Sequence, residues 1–284
     1  MKRKDCLVIG ANSFVGSYLV KALKASHHVT AVYNNNKDRL DKVVTNVSIL
    51  ELETLSAKYD EVYIVSAYIH TGKIDSAARE WMYKINVALV AEICSRFADS
   101  KFIYCSSVSV YSLKDGMIYE HDAEGGLNEY GISKLWGEKI ILQTRQHAIV
   151  RFSSVYGAEM KMGTIIPNYI TQGLNEKEIT VYGEGLRLQN YIHVQDAVNF
   201  LIKAADYEEN GTFLACAPES ISNLELATAI AEELRCKVVF KGEDRSPSFN
   251  YNNEKTVELL GYKPGISIKE GINQVVKWIE KKSW

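Results

Sequence analysis

No single sign of charge dominates this 284-residue chain: 33 lysines and arginines face 35 aspartates and glutamates, for a formal charge of −2. That balance excludes the broad basic surface on which nucleic-acid binding rests, so no nucleic-acid partner is expected and an anionic ligand needs a local site. The five cysteines, Cys6, Cys94, Cys105, Cys216 and Cys236, form no Cys-x-x-Cys pair and no cluster with histidine along the chain. A zinc site and a disulfide framework are both set aside, no metal is expected, and the thiols read as reduced and cytoplasmic. The basic start, Lys2-Arg3-Lys4, is followed only by the short apolar run Cys6-Leu7-Val8-Ile9, which cannot form a signal-peptide core. No stretch reaches the ~18 apolar residues of a membrane span. Internal repeats, low-complexity tracts and charge blocks are missing too, so neither a linker nor a disordered tail is expected.

What is present is a strong α/β rhythm. Cys6-Leu7-Val8-Ile9 reads as a buried strand and runs through Gly10-Ala11-Asn12-Ser13-Phe14-Val15-Gly16 into a helix whose apolar positions include Leu19, Leu23 and Ala25. Val29 to Tyr33 reads as the next strand, and the whole forms a βαβ unit of the dinucleotide-binding kind. Val62 to Val65 and Phe102 to Cys105 predict two further strands, separated by one long helix over Ala77 to Phe97. Ala148 to Val150 predicts another. Alternation of this kind predicts a doubly wound parallel sheet with helices on both faces. After Gly157 the rhythm loosens, and helical spacing returns at 197–205, 223–234 and 268–279. The expected division is a cofactor-binding Rossmann domain over 1–157 and a smaller α/β substrate-binding lobe over 158–284, with a segment near 191–206 returning to the first.

The chemistry centres on Tyr130-Gly131-Ile132-Ser133-Lys134. On a helix, a phenol and an ammonium four positions apart share one face. The same spacing recurs at Tyr33/Lys37 and Tyr251/Lys255, but those matches enclose asparagine-rich segments that prefer turns. Upstream, Ser106, Ser107 and Ser109 follow a strand whose carboxyl end would face the ligand crevice of an open α/β sheet. A hydroxyl there would hydrogen-bond a substrate oxygen while Tyr130 gives or takes its proton. An unperturbed phenol has a pKa of about 10, so Lys134 is expected to assist by favouring phenolate.

Gly10-x-x-Ser13-x-x-Gly16 after the first strand, Ser107 and Tyr130-x-x-x-Lys134 together resemble the extended short-chain dehydrogenase/reductase superfamily, in its NAD(P)-dependent nucleotide-sugar epimerase/dehydratase branch. Asn86, the segments 60–67, 151–157 and 181–196, and Leu260-Gly261-Tyr262-Lys263-Pro264 extend the resemblance nearly end to end. It implies that Gly10, Asn12, Ser13, Phe14, Val15 and Gly16 hold a cofactor pyrophosphate and that Asn34, Lys37 and Arg39 face the adenosine ribose. Ser66 and Ala67 would border the cofactor, and Tyr130 and Lys134 would meet its nicotinamide half. Ser107, Tyr130 and Lys134 would be the catalytic set. Ser107, Ser109, Ser154, Arg187, Gln189 and His193 would touch substrate, and a homodimer built on the Tyr130 helix and its neighbour would be usual.

Departures from that pattern carry information. Ser13 stands where the middle glycine of the loop would be, and its hydroxyl is small enough to sit beside a phosphate. Asparagine, not a carboxylate, ends the second strand, with Lys37 and Arg39 close by. The cofactor is therefore NAD or NADP, with a slight lean to NADP, and Asp38 keeps the NAD reading open. Gln189 and Ser154 replace an arginine and an asparagine that often grip a nucleotide diphosphate, leaving Arg187 and His193 as candidates. Val108-Ser109 replaces the acidic pair of the dehydratases, so water elimination ranks below epimerisation or ketone reduction. Glu120, Asp122 and Glu124 read as solvated or helix-dipole charges, and Trp278 with Trp284 as packing for the last helix. The expectation is thus a cytoplasmic hydride-transfer enzyme acting on a nucleotide-linked sugar, as a 4-epimerase or 4-ketoreductase. The alternatives are a reductase of a non-nucleotide carbonyl and a catalytically silent NAD(P)-sensing protein of the same fold.

Overall fold

The structure is a computed structural model that describes residues 3–34, 36–56, 58–70, 72–112, 116–126 and 128–282, so Trp284 lies outside the described residues. In chain order the first half comprises β1 (Asp5–Ile9), α1 (Phe14–Leu23), β2 (His28–Tyr33), β3 (Thr45–Ser48), β4 (Glu61–Ile64), α2 (Ser76–Tyr83), α3 (Leu89–Arg96), β5 (Lys101–Ser107), β6 (Met117–Ile118), α4 (Glu129–Ile141), β7 (Gln146–Phe152) and β8 (Ser154–Tyr156). The second half comprises α5 (Ile165–Asn175), β9 (Glu178–Tyr182), β10 (Leu188–Gln189), β11 (Tyr191–His193), α6 (Val194–Asp206), β12 (Gly211–Ala215), β13 (Ile221–Ser222), α7 (Asn223–Leu234), β14 (Lys237–Lys241), β15 (Asn250–Tyr251), α8 (Glu254–Leu260) and α9 (Ile268–Lys282).

Seven strands form one sheet in the order β12-β7-β5-β4-β1-β2-β3, every neighbouring pair parallel, as the strand-helix alternation predicts. Strand alternation divides its side chains between two cores. Val8, Tyr63, Ile103 and Val150 pack with α1 and α6 on one face, while Ile9, Ile64, Tyr104 and Ile149 pack with α3 and α4 on the other. The chain reverses its direction of travel across the sheet between β1 and β4, which opens a crevice at their carboxyl ends. A separate core joins α5, α7 and α9 through Ile170, Ile230 and Val275. The return to the sheet includes β12 as well as α6, so it extends to Ala215, past the expected end near 206. Asp196 ties the C-terminal segment to this return, accepting from the Tyr262 hydroxyl at 2.5 Å and from the Gly265 and Ile266 amides, each at 3.1 Å.

Two local readings change. Helix α1 ends at Leu23, so Ala25 lies beyond it. The single helix expected over 77–97 is interrupted at Lys84–Ala88 by a π-turn, the kind of insertion that accompanies functional sites.

Candidate active site

The crevice is built by three turns. Gly10 leaves β1 at φ +88°, a conformation open to glycine, and a Cβ there would lie 2.7 Å from the Ser66 backbone nitrogen after β4. At Gly16 a Cβ would come within 2.2 Å of the Gly10 carbonyl oxygen, so this glycine lets α1 start hard against the loop. Ser13 is the N-cap of α1, and its hydroxyl accepts from the Gly16 amide at 3.1 Å. That bond is the local reason serine is suited to the position, and the helix N-terminus behind it is disposed to receive phosphate. Phe14 turns away from the loop and packs against the core of the smaller lobe, while Val15 packs on the sheet. Asn12 reaches across to the loop after β2, donating from Nδ2 to the Asn36 carbonyl at 2.7 Å.

Ser107 ends β5 and caps the short turn after it: its Oγ accepts from the Ser109 amide at 3.1 Å and donates to Ser109 Oγ at 3.2 Å. Asn128 caps α4 in the same way through Gly131, placing Tyr130 in the first turn and Lys134 one turn deeper. Ser107 acts on the Tyr130 phenol in the direction that favours phenolate, yet burial dominates and pushes the phenol above its ordinary range. The assistance expected from Lys134 is not among the effects that set the Tyr130 phenol. Burial acts on Lys134 as well, lowering the ammonium to about 8 against the weaker opposing pull of Cys105 and Glu138.

Lys134 Nζ is fully buried and has no hydrogen-bond partner among the described residues; its one contact of note is with the Tyr104 ring, whose centroid lies 4.0 Å away. Ser66 Oγ, at the opposite lip of the crevice, is likewise buried without a partner among them. Buried donors of this kind are costly unless a ligand satisfies them. The hydroxyls and phosphates of a bound dinucleotide would supply the missing acceptors at Ser66 and Lys134, so the residues present fit such a cofactor. Asn86, in the π-turn, holds the rim: its side chain donates to the Tyr68 carbonyl at 3.0 Å and to Ser133 Oγ at 2.9 Å, and accepts from the Tyr68 amide at 2.8 Å.

The loop after β2, where the resemblance implies the adenosine ribose, offers less free charge than its sequence suggests. Arg39 donates to the Glu159 carbonyl at 2.7 Å and pairs with its carboxylate at 3.7 Å, and Lys37 lies 5.2 Å from the Tyr33 ring centroid. Asn34 and Ala67 are exposed. In the smaller lobe, Arg187 borders a cavity of about 360 Å³ with Tyr169, Asn223 and Asp244, its Nε donating to the Pro247 carbonyl at 3.1 Å. Gln189 donates to Asn223 Oδ1 at 2.8 Å, Ser154 is exposed on β8, and His193 is buried as the N-cap of α6, accepting from the Gln195 amide at 3.3 Å.

A buried polar network, invisible to sequence reasoning, braces the site. Arg151 on β7 makes a two-point bridge to Glu138 on α4 at 3.0 and 2.7 Å, and Ser106 donates to the same carboxylate at 2.5 Å. Glu124 also pairs with Arg151, and Glu120 accepts from the Thr256 hydroxyl at 2.7 Å, so neither acid is the solvated charge that was expected. At the opposite end of the sheet, Cys6, His27 and Glu61 bring metal-ligating atoms within 4.8 Å of one another. There Glu61 already binds the Lys4 ammonium at 2.5 Å and the Tyr63 hydroxyl at 2.7 Å.

This fold and crevice define an NAD-dependent enzyme of the extended short-chain dehydrogenase/reductase type. The chain belongs to the NAD dependent epimerase/dehydratase family, whose model matches residues 6–215. It is 23% identical to a protein of Bacillus subtilis named an uncharacterized UDP-glucose epimerase, over 96% of this chain and 97% of that one. It is also 23% identical to the UDP-N-acetyl-alpha-D-glucosaminuronate decarboxylase of Bacillus cytotoxicus, over 98% of each. Among solved structures, UDP-glucuronic acid 4-epimerase from Bacillus cereus in complex with NAD aligns with a TM-score of 0.85 at 22% identity, covering 98% of this chain and 99% of that one. The UDP-N-acetylglucosamine 4-epimerase of Methanobrevibacter ruminantium, in complex with UDP-N-acetylmuramic acid, aligns at 0.86 with 20% identity, covering 99% and 100%. No described helix is long and apolar enough to cross a membrane.

Proposed function

We propose that this enzyme transfers a hydride to and from C4 of a nucleotide-linked hexose, as a 4-epimerase or a 4-ketoreductase, with Ser107, Tyr130 and Lys134 as the working set. The observation that carries the reading is the buried Lys134 ammonium, without a hydrogen-bond partner among the described residues, one helical turn below Tyr130 on α4, with Ser107 at the end of β5 acting on the phenol. The bound nicotinamide supplies the hydride acceptor and donor. Tyr130 takes the proton from the sugar hydroxyl as it becomes a ketone and returns it when the ketone is reduced. Ser107 orients that oxygen, and Lys134 donates to the cofactor's ribose, which also ends the cost of its own burial. Val108 and Ser109 offer no carboxylate for eliminating water, which supports epimerisation or reduction over dehydration.

NAD is the cofactor we assign. The family's own cofactor supports it, and the engagement of Arg39 with Glu159 removes one of the two cations behind the lean to NADP. Arg187, Gln189 and Asn223 form the candidate nucleotide subsite, and UDP-hexoses are the first substrates to test, as the named relatives act on or bind UDP-sugars. We assign residues 1–157 and 191–215 to the cofactor domain and the remainder mainly to the substrate lobe, and place the enzyme in the cytoplasm with its five cysteines free. A homodimer is proposed through α2 and α4, where Trp136, Tyr83 and Ile132 remain 54%, 50% and 52% exposed around one apolar groove.

The test is purified protein with a panel of UDP-hexoses, followed by nuclear magnetic resonance of the sugar and by nicotinamide absorbance. Epimerisation interconverts C4 epimers at constant absorbance; reduction of a 4-keto sugar consumes NADH stoichiometrically. Turnover of a free ketone with none of any sugar nucleotide rejects the nucleotide-linked substrate.

A further inference from the structure

Cys105 occupies an unusual place on β5. The strand lies between β4 and β7, and its pairing with β4 ends at Tyr104 opposite Ile64, so Cys105 is the first residue of β5 to extend beyond β4. Its neighbours Ile103, Tyr104 and Ser106 are sealed, as interior residues of a covered sheet should be, yet Cys105 is partly exposed. A side chain in the middle of a seven-stranded sheet reaches solvent only through the crevice. The thiol packs at the edge of the core that contains Ala11, Val65 and Phe152, the residues framing that crevice, and it interacts electrostatically with both Tyr130 and Lys134. A second observation points to a ligand in the same space: Lys134 Nζ is fully buried with no partner among the described residues.

From this geometry we infer that Cys105 is a cofactor-gated modification site: small soft electrophiles reach its sulfur in cofactor-free protein, and bound NAD covers it. With iodoacetamide, the sulfur forms a bond to the methylene carbon, iodide leaves with the carbon–iodine electron pair, and the thiol proton passes to solvent. The added group then occupies cofactor space, so the modified protein no longer accepts NAD. Burial pushes the thiol up to about 11, against a lowering by Lys134, so alkylation accelerates toward alkaline pH. The remaining cysteines supply controls: Cys6, Cys94 and Cys216 are buried, while Cys236 is partly exposed in the smaller lobe.

The inference rests on the assigned NAD site, and the experiment separates the two. Native protein at pH 9 is treated with iodoacetamide with and without NAD, and peptide mass spectrometry follows each cysteine while calorimetry measures NAD binding. NAD at about ten times its Kd should slow alkylation of Cys105 roughly tenfold and leave Cys236 unaffected, because about a tenth of the sites remain open. Protein alkylated without NAD should lose at least roughly tenfold in NAD affinity, whereas Cys105→Ser should keep its own affinity through the same treatment. Equal alkylation of Cys105 with NAD bound in calorimetry overturns the gating alone. Failure of native protein to bind NAD overturns the cofactor assignment and the gating with it. A Cys105 that stays unreactive without cofactor, while Cys236 reacts, overturns the claim that the crevice exposes it.

Discussion

Replacing Lys134 by methionine should stabilise the cofactor-free protein. The ammonium is fully buried without a hydrogen-bond partner among the described residues, and burial lowers it from 10.5 to about 8. A tenfold change in proton affinity is worth ~1.4 kcal/mol, so the charged form costs the folded state ~3 kcal/mol at pH 7. The Tyr104 ring, 4.0 Å below, offsets part of this. A desolvated cation–π contact contributes ~0.5–2 kcal/mol, leaving a net gain of ~1–3 kcal/mol for an uncharged side chain of similar length. The sign with pH follows directly. Below about 8 both the folded and the unfolded chain carry the proton and the cost is felt in full; between about 8 and 10.5 the folded protein has released a proton that the unfolded chain retains, so wild-type stability rises with pH. Urea denaturation of NAD-stripped wild type and Lys134→Met at pH 7 and pH 10 measures both effects, and the variant's advantage should shrink across that interval. Saturating NAD should reverse the order: at a hundredfold excess over Kd it adds ~2.7 kcal/mol to a protein that binds it, and the variant has lost the ribose donor. A variant less stable than wild type at pH 7 without cofactor, or a difference that does not change with pH, would refute the reasoning.

Tyr130→Phe keeps the ring and removes the transferable proton, so kcat should fall by ~10²–10⁴ while NAD affinity measured by calorimetry stays within a few-fold; an unchanged rate rejects the role given to the phenol. Arg187→Ala removes the guanidinium from the cavity of the smaller lobe. Loss of a charge-assisted contact of ~1.5–3 kcal/mol should raise KM for a UDP-hexose roughly ten- to hundredfold with little change in kcat. Trp136→Glu places a charge in the apolar groove between α2 and α4, and sedimentation should show a dimeric wild type and a monomeric variant; a monomeric wild type sinks the interface.

What could be read from the chain divides by the range of the forces involved. The β1 turn and α1 were legible because a buried strand, a glycine at positive φ and a helix cap are local, each set by a handful of adjacent residues. The π-turn was not, because 77–97 keeps helical spacing throughout; the extra residue becomes visible only when Asn86 is seen clamping both the Tyr68 backbone and Ser133. Edge strand β3, Thr45-Asn46-Val47-Ser48, carries almost no apolar signal and pairs through its backbone alone. Glu120 and Glu124 looked like solvated loop acids because their partners, Thr256 and Arg151, lie far along the chain. The Tyr130 phenol was expected to be pulled down by a neighbouring ammonium. Burial, which exists only in the tertiary structure, pushes it the other way.

The spacing that pairs Tyr130 with Lys134 extends one further turn, to Glu138. These three share a face of α4, and each does something different there: Tyr130 faces the crevice with Ser107, Lys134 lies beneath it on Tyr104, and Glu138 is fixed to the sheet by Arg151 and Ser106. Strand alternation completes the arrangement, since Ser106 points toward α4 to meet Glu138 while its neighbour Ser107 is left for the crevice. A buried charge pair of this kind is not needed for net stability, since apolar residues of the same volume often serve as well or better. What an apolar contact lacks is direction. The two-point bridge from Arg151 sets both the depth and the rotation of α4, and those two quantities decide whether the phenol meets the Ser107 hydroxyl and whether the ammonium meets a ribose.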